Sequence, residues 1–177
     1  MDVRKRRAYS RSMSLPRIIV TTSDDPRAQP LVDELSREYD ERYGLNDGIP
    51  SSVELSRYPA ELFTAAHGGV FLLVQVGDEI VAGGAFKRAD AATIEIKRIW
   101  TSSAHRRRGY ARLVMAELER EASARGYTRS TLTTGARQPE AVALYLDLGY
   151  EPLFDLDGDL EKISYLYFTK PLEAAAA

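Results

Sequence analysis

The sequence predicts a layered α+β fold, a mixed α/β sheet with helices packed on it, rather than a doubly wound one. Three observations predict it. Strand-like and helix-like segments follow in the order strand, helical region, three strands, helix, strand, helix, strand. The short Gly77-Asp78-Glu79 connection joins two of the middle strands as a hairpin. Finally, Thr93–Trp100, the helix after it and Ser130–Thr134 make one strand–helix–strand unit, whose crossover is right-handed if the strands are parallel.

Each element has its own signal. Arg17 to Thr22 is β-branched and reads as a strand. Ser23-Asp24-Asp25 supplies turn and cap chemistry, and Leu31, Leu35, Tyr39 and Tyr43 repeat every four residues in a helix from Pro26 to Tyr43 that Gly44 closes. Asn46 to Pro50 reads as a loop and Pro59 to Ala66 as a short helix ended by Gly68-Gly69. Val70–Val76 and Ile80–Lys87 form the hairpin. In Thr93–Trp100 the apolar phase slips: Ile94 and Ile96 share a face while Ile99 falls on the other, so a β-bulge is expected near Arg98. Ala111, Val114, Met115, Leu118 and Ala122 give a helical stripe between Gly109 and Arg125, with Gly126 just past its end. Pro139 opens a last helix carrying Val142, Tyr145 and Leu148 and ending at Gly149. Lys162–Lys170 alternates through Ile163, Tyr165, Tyr167 and Thr169 as a final strand.

Composition bounds the function. A chain of 177 residues, 44% apolar, fits one domain, 15–172, with a disordered basic arm at 1–14 and a tail at 173–177. The arm holds Arg4, Lys5, Arg6, Arg7 and Arg11 against Asp2, a local +4 in a chain of net charge −2, which leaves −6 on the body and argues against nucleic acid as a partner. No run approaches the ~20 apolar residues that span a bilayer, so no membrane partner is expected. No apolar segment follows the basic start as in a secretory signal, and the expected location is cytoplasmic. The absence of cysteine removes disulfides and thiolate chemistry, and with His67 and His105 as the only histidines no metal centre is expected.

The informative stretch is Ile94 to Glu119. A strand runs into a short turn, and a helix opens at Gly109. The first N–H groups of a helix lack internal partners and, with the macrodipole, attract an anion. Gly109 admits a phosphate without a Cβ in the way, Ala111 keeps the next turn small, and Arg106, Arg107 and Arg108 add bidentate donors. The expected anion is a pyrophosphate. No Gly-Lys-Ser/Thr follows and no Gly-x-Gly-x-x-Gly is present, which sets aside nucleotide and dinucleotide loops. A Ser-His-Asp hydrolase finds no nucleophile elbow. Taken alone, an Arg-rich turn reads better as a solvated helix start; the strand–turn–helix context and the motif further along the chain favour the anion site.

Arg106-x-x-Gly109-x-Ala111 resembles the Gln/Arg-x-x-Gly-x-Gly/Ala signature of the GNAT family of N-acetyltransferases. Glu95 to Trp100 resembles that family's fourth strand, and Thr133 to Tyr145 through Leu148-Gly149-Tyr150 its fifth strand and following helix; 154–162 is the least similar part. The resemblance implies a mostly antiparallel sheet with one central parallel unit, helices on both faces, and acetyl-CoA as co-substrate. It places the pyrophosphate on the N–H groups from Arg106 through Arg107, Arg108, Gly109, Tyr110 and Ala111 to Arg112, and the pantetheine along Ile99, Trp100 and Thr101. Gln138 and Ala141, in the later helix, complete the implied cofactor set.

An amine attacking a thioester must first lose a proton. Glu95 is the candidate base, acting through water, and reads as well as a sheet-face carboxylate paired with Lys97 or Lys87. Tyr145, at the position of the family's tyrosine, is the candidate acid for the leaving thiolate; it also reads as a core residue packed on Leu148. Tyr39, Tyr43 and Tyr58 fit either an acceptor pocket or core packing. The expected partner is a small-molecule or amino-acid-like amine; a peptide acceptor, a non-catalytic acyl-CoA sensor and a homodimer stay open.

Overall fold

The computed structural model describes residues 15–174. Its sheet has seven strands: β1 (Arg17–Thr21), β2 (Val70–Val76), β3 (Glu79–Arg88), β4 (Thr93–Thr101), β5 (Arg129–Thr134), β6 (Glu151–Pro152) and β7 (Leu166–Pro171). Their spatial order is β1-β2-β3-β4-β5-β7-β6, and every neighbouring pair is antiparallel except β4 and β5. Three α-helices accompany it: α1 (Gln29–Tyr43), α2 (Tyr110–Ala124) and α3 (Pro139–Asp147). The expected mixed sheet with one central parallel strand–helix–strand unit is present. The arm at 1–14 and the last residues of the expected tail lie outside the described residues. Among the described residues no helix is long and apolar enough to cross a membrane.

Alternation along the strands feeds two cores. Ile94, Ile96, Leu132 and Phe168 pack with Val114, Met115 and Leu118 of α2 and Tyr145 of α3. Phe71, Leu73, Ala85 and Trp100, from the other face, pack with Leu31 and Leu35 of α1 and with Phe63. Helices therefore lie on both faces. Asp25 starts the α1 region by accepting the Arg27 N–H at 2.8 Å on its side chain, capping a 3₁₀ turn at Pro26–Ala28 that runs into α1.

The structure corrects four expectations. Leu45–Asn46 pairs with Ile49–Pro50 in a small hairpin where a loop was expected. Its turn is Asp47-Gly48, both at positive φ, the Asp-Gly signature of a type I′ turn. The helix expected at Pro59–Ala66 is two 3₁₀ turns, Ala60–Phe63 and Ala65–His67, broken at Thr64, whose backbone is extended. The last strand starts at Leu166 instead of Lys162, which closes another 3₁₀ turn. Its buried residues include Leu166 and Phe168, whereas Tyr167 is 54% exposed, so the tyrosines that suggested alternation do not carry the core face.

The bulge expected near Arg98 is present. Ala85 pairs with Lys97 and Gly83 with Trp100, so Gly84 alone faces Arg98 and Ile99. Arg98 takes φ 60°. The parallel ladder between β4 and β5 stops at Ile96–Leu132, and beyond it the two strands part. Gly83 and Gly84 let both cores close on β3 at this point. A Cβ on Gly83 would sit 2.8 Å from Leu31 Cδ1 and 2.9 Å from the Leu72 carbonyl oxygen, and the backbone atom has little room to yield. Gly83→Ala is expected to destabilise the fold by about 1–3 kcal/mol, read as a lower urea midpoint at unchanged slope; an unaltered midpoint contradicts the packing described.

Candidate active site

Where β4 and β5 part, a cleft of about 1050 Å³ opens. Its walls include Lys97 to Thr101 of β4, Thr133 and Thr134 of β5, the start of α2, Tyr145 of α3, and α1 with the segment after it. Three non-glycine residues among those described have positive φ, namely Asp47, Arg98 and Arg107, and all three line this cleft. Such strain concentrates where function over-determines the backbone.

The start of α2 is built as expected for an anion site. Gly109 caps it at φ 82°, with no side-chain cap bond. The first helical bond runs from Leu113 N–H to the Gly109 carbonyl, so the N–H groups of Tyr110, Ala111 and Arg112 have no intrahelical acceptor. Nothing lies within 4 Å of a Cβ placed on Gly109. Arg106, Arg107, Gly109, Tyr110, Ala111 and Arg112 line the cleft, but Arg108 does not. Two of the arginines are already engaged, Arg106 with Glu38 at 3.2 Å and Arg112 with Asp147 at 2.7 Å. The backbone N–H groups and the Arg107 side chain are therefore what stands uncommitted here among the described residues.

Ile99, Trp100 and Thr101 lie on the free edge of β4 and line the cleft, as do Gln138 and Ala141 at the start of α3. Trp100 is 3% exposed and its indole N–H donates to Glu34 Oε2 at 2.9 Å. Gln138 Oε1 accepts from Thr134 at 2.9 Å and from Tyr43 at 3.4 Å.

The sequence reading missed what α1 does. Glu34 accepts the Ser103 N–H at 3.0 Å as well as the Trp100 indole, holding the turn between β4 and α2. One turn later Glu38 accepts from Arg106 and, at 2.5 Å, from Arg42. Arg42 also pairs with Glu140 and donates to the Arg137 carbonyl at 2.6 Å, while Arg137 donates to the Arg42 carbonyl at 2.9 Å. Arg106, Glu38, Arg42 and Glu140 thus alternate in charge across the gap, from the α2 turn to α3. The spacing of Glu34, Glu38 and Arg42 by four was readable, but such a stripe ordinarily marks a solvated face.

The two candidate catalytic residues are placed differently. Tyr145 lines the cleft at 6% exposure, with its ring edge-on to Tyr150 and Phe168, and among the described residues its hydroxyl has no hydrogen-bond partner. Burial, then the neighbouring Tyr39, pushes its phenol well above the ordinary tyrosine value, so it stays protonated. Glu95 is not part of the cleft wall. Its carboxylate is gripped by Lys87 at 2.6 Å and Lys97 at 2.8 Å. Desolvation pushes its pKa up, the two ammonium groups outweigh it, and the net shift is down, which weakens it as a base. Tyr39 and Tyr58 line the cleft and also touch the α1 core; Tyr43 lines it too. His105 pairs with Glu79 at 3.1 Å, outside the cleft, and His67 faces Thr64 in a turn. Among the described residues no group of three or more His, Asp or Glu side chains is arranged to hold a metal ion.

The sequence model of the acetyltransferase (GNAT) family matches residues 11–150. The chain belongs to this family. It is similar to the uncharacterized N-acetyltransferase YsnE of Bacillus subtilis, 38% identical over 101 residues, and to rat N-acetyltransferase 8, 29% identical over 122. The matches take in 54% and 64% of this chain, and the chain spans 65% and 55% of the length of those two relatives. The fold is that of a GNAT acetyltransferase from Staphylococcus aureus, with a TM-score of 0.71 at 14% identity, covering 90% of this chain and 100% of that one. In this GNAT chain the family's signature turn and its parting strands are therefore tied together by α1.

Glu34 offers a direct readout. Partial burial pushes its carboxyl up, but the Ser103 and Trp100 hydrogen bonds and Arg106 outweigh that and lower it below its ordinary value of 4.5. A folded-state pKa below the unfolded one keeps the bond above pH 4.5 and loses it as pH falls through the folded value. Trp100 is the single tryptophan. Its emission is expected to hold steady down to pH 4.5 and change only below, with Glu34→Gln already altered at neutral pH. A wild-type transition above pH 4.5, with far-UV dichroism unchanged, contradicts the assignment.

Proposed function

We propose that the protein moves an acetyl group from acetyl-CoA to the primary amine of a small-molecule or amino-acid-like acceptor by direct attack. The observation that carries this is the uncapped α2 start, opened by Gly109, beside a strand edge that has lost its partner. The N–H groups of Tyr110, Ala111 and Arg112 suit a pyrophosphate. The free edge of Lys97–Thr101 suits the amide-bearing pantetheine arm, taken up as a strand would be. The acetyl thioester supplies the electrophilic carbonyl.

The chain's own groups then act on protons and position. The acceptor nitrogen bonds to the carbonyl carbon, the carbon–sulfur bond breaks, and the Tyr145 hydroxyl gives its proton to the departing sulfur. Of the two protons the ammonium form of the acceptor sheds, one returns through water to Tyr145 and the other leaves to solvent in the open cleft. Glu95, tied to two lysines, is assigned the positioning of Lys97, with any pull on the amine proton exerted only through water. Tyr145 lines the cleft with its hydroxyl uncommitted among the described residues, which supports it as the acid, and burial keeps the phenol protonated at neutral pH.

Calorimetry with acetyl-CoA, followed by CoA release over an amine panel, tests the reading; no heat of binding and no release sink it. Gly109→Val is expected to weaken acetyl-CoA binding by about tenfold or more, because a β-branched residue at φ 82° is strained and disturbs the helix start that would meet the phosphate. Nothing in the protein lies within 4 Å to clash with that Cβ, so unfolding is not the expected outcome; normal binding refutes the phosphate turn. Tyr145→Phe is expected to lower kcat by about a hundredfold with acetyl-CoA affinity retained; full activity returns Tyr145 to the core.

A further inference from the structure

The sheet face beside the cleft, on the α1 side, is charged in a way that bears on the acceptor. Lys87 of β3 and Glu95 of β4 are cross-strand partners, and Lys97 follows on the same face. Glu95 Oε2 binds the Lys87 ammonium and Oε1 the Lys97 ammonium. Both ammonium groups also lie against the Tyr58 ring, 4.9 and 5.1 Å from its centroid. One carboxylate thus serves two cations, all three side chains being at most 20% exposed.

Arg98, at the bulge, adds a third cation. It donates to the Leu55 carbonyl at 2.5 Å and stacks on Phe63, and among the described residues it has no carboxylate partner. Burial pushes its guanidinium below the ordinary arginine value. Arg57 and Glu54 at the mouth neutralise each other at 3.1 Å. This face of the sheet is left with three cations against one anion, and of the four Lys97 and Arg98 line the cleft.

An ammonium has three N–H donors, and Lys97 spends one on Glu95. Lys97 lines the cleft while Lys87 does not. Amines arrive from water as ammonium ions, which a half-buried excess of positive charge repels. An acceptor bearing its own anionic group meets the opposite situation: the anion completes the pairing of Lys97, and the positive surroundings then favour the neutral, nucleophilic form of its amine. Tyr39, Tyr58 and Leu55 offer apolar wall to the rest of such a molecule.

Resting on the acetyl transfer set out above, we propose that the acceptor is an amine carrying an anionic group, a carboxylate in the simplest case, held by Lys97 over Tyr58. Glu95 fixes Lys97 and is a positioning residue for this contact.

The test uses the full chain with saturating acetyl-CoA and a panel of α-amino acids, each beside its amide and its decarboxylated amine. O-Phosphoethanolamine beside ethanolamine separates phosphate from carboxylate as the source of charge. The acids, or the phosphate ester, are expected to exceed their counterparts lacking the anionic group by about tenfold or more in kcat/KM. Lys97→Met is expected to collapse that ratio, Lys97→Arg to restore part of it, and Glu95→Gln to raise acceptor KM more than it lowers kcat. Calorimetry with acetyl-CoA on each variant shows that the fold and the donor site persist. Equal or better turnover of the amines lacking an anionic group, or a preference that survives Lys97→Met, overturns the proposal. Acetyl-CoA binding with no turnover of any anionic acceptor overturns it too, while failure to bind acetyl-CoA removes the transferase reading beneath it.

Discussion

The structure depends on an interruption. Parallel pairing between β4 and β5 stops at Ile96–Leu132, because one residue more on β4 than on β3 is fitted in at Arg98. A bulge bends its strand and increases the local twist, and here it turns the end of β4 away from β5. Backbone groups buried without partners are costly, so an edge opened inside a sheet is stable only if solvent or a ligand reaches it. The same departure carries the chain into the turn before α2, whose first N–H groups then face the opening. The open strand edge and the free helix start are two consequences of a single misfit.

Helix α1 spans that opening. Its seat is apolar, through Leu31 and Leu35 against Phe71, Leu73 and Trp100. Its charges contribute little to stability, since exposed ion pairs give about 0–1 kcal/mol each. Their value is geometric. Glu34 and Glu38 hold the turn before α2 from one side, and Arg42 holds the loop before α3 from the other. A cleft between two parting strands would otherwise be free to widen. Beside it, Lys87 and Lys97 share Glu95 on the same face of the sheet, and Lys97 reaches the cleft.

Much of this was legible in the sequence, and the reasons are particular. The slip from Ile94 and Ile96 to Ile99 betrayed the bulge because period two is strict in a strand with one face buried. Gly109 and Ala111 after a strand betrayed the helix start. Residues 44–66 were harder, since 3₁₀ turns of three to six residues have no usable periodicity; only Asp47-Gly48 held a readable turn signal. The last strand misled because exposed tyrosines alternate there as regularly as a core face does. Glu95 looked like a base from its position, but whether a carboxylate is free or gripped depends on Lys87, which comes from the neighbouring strand. Contacts across the gap, such as Arg42 with Glu140, join residues too far apart in the chain for any local pattern to mark them.

The central claim is that the free edge of β4 and the first turn of α2 together receive the acyl-CoA. Amide hydrogen exchange with and without saturating CoA tests it most directly, because it reads the N–H groups themselves. The account predicts slowed exchange confined largely to Lys97–Thr101 and Arg107–Arg112. Unchanged exchange in both segments, with protection elsewhere or nowhere, would contradict it.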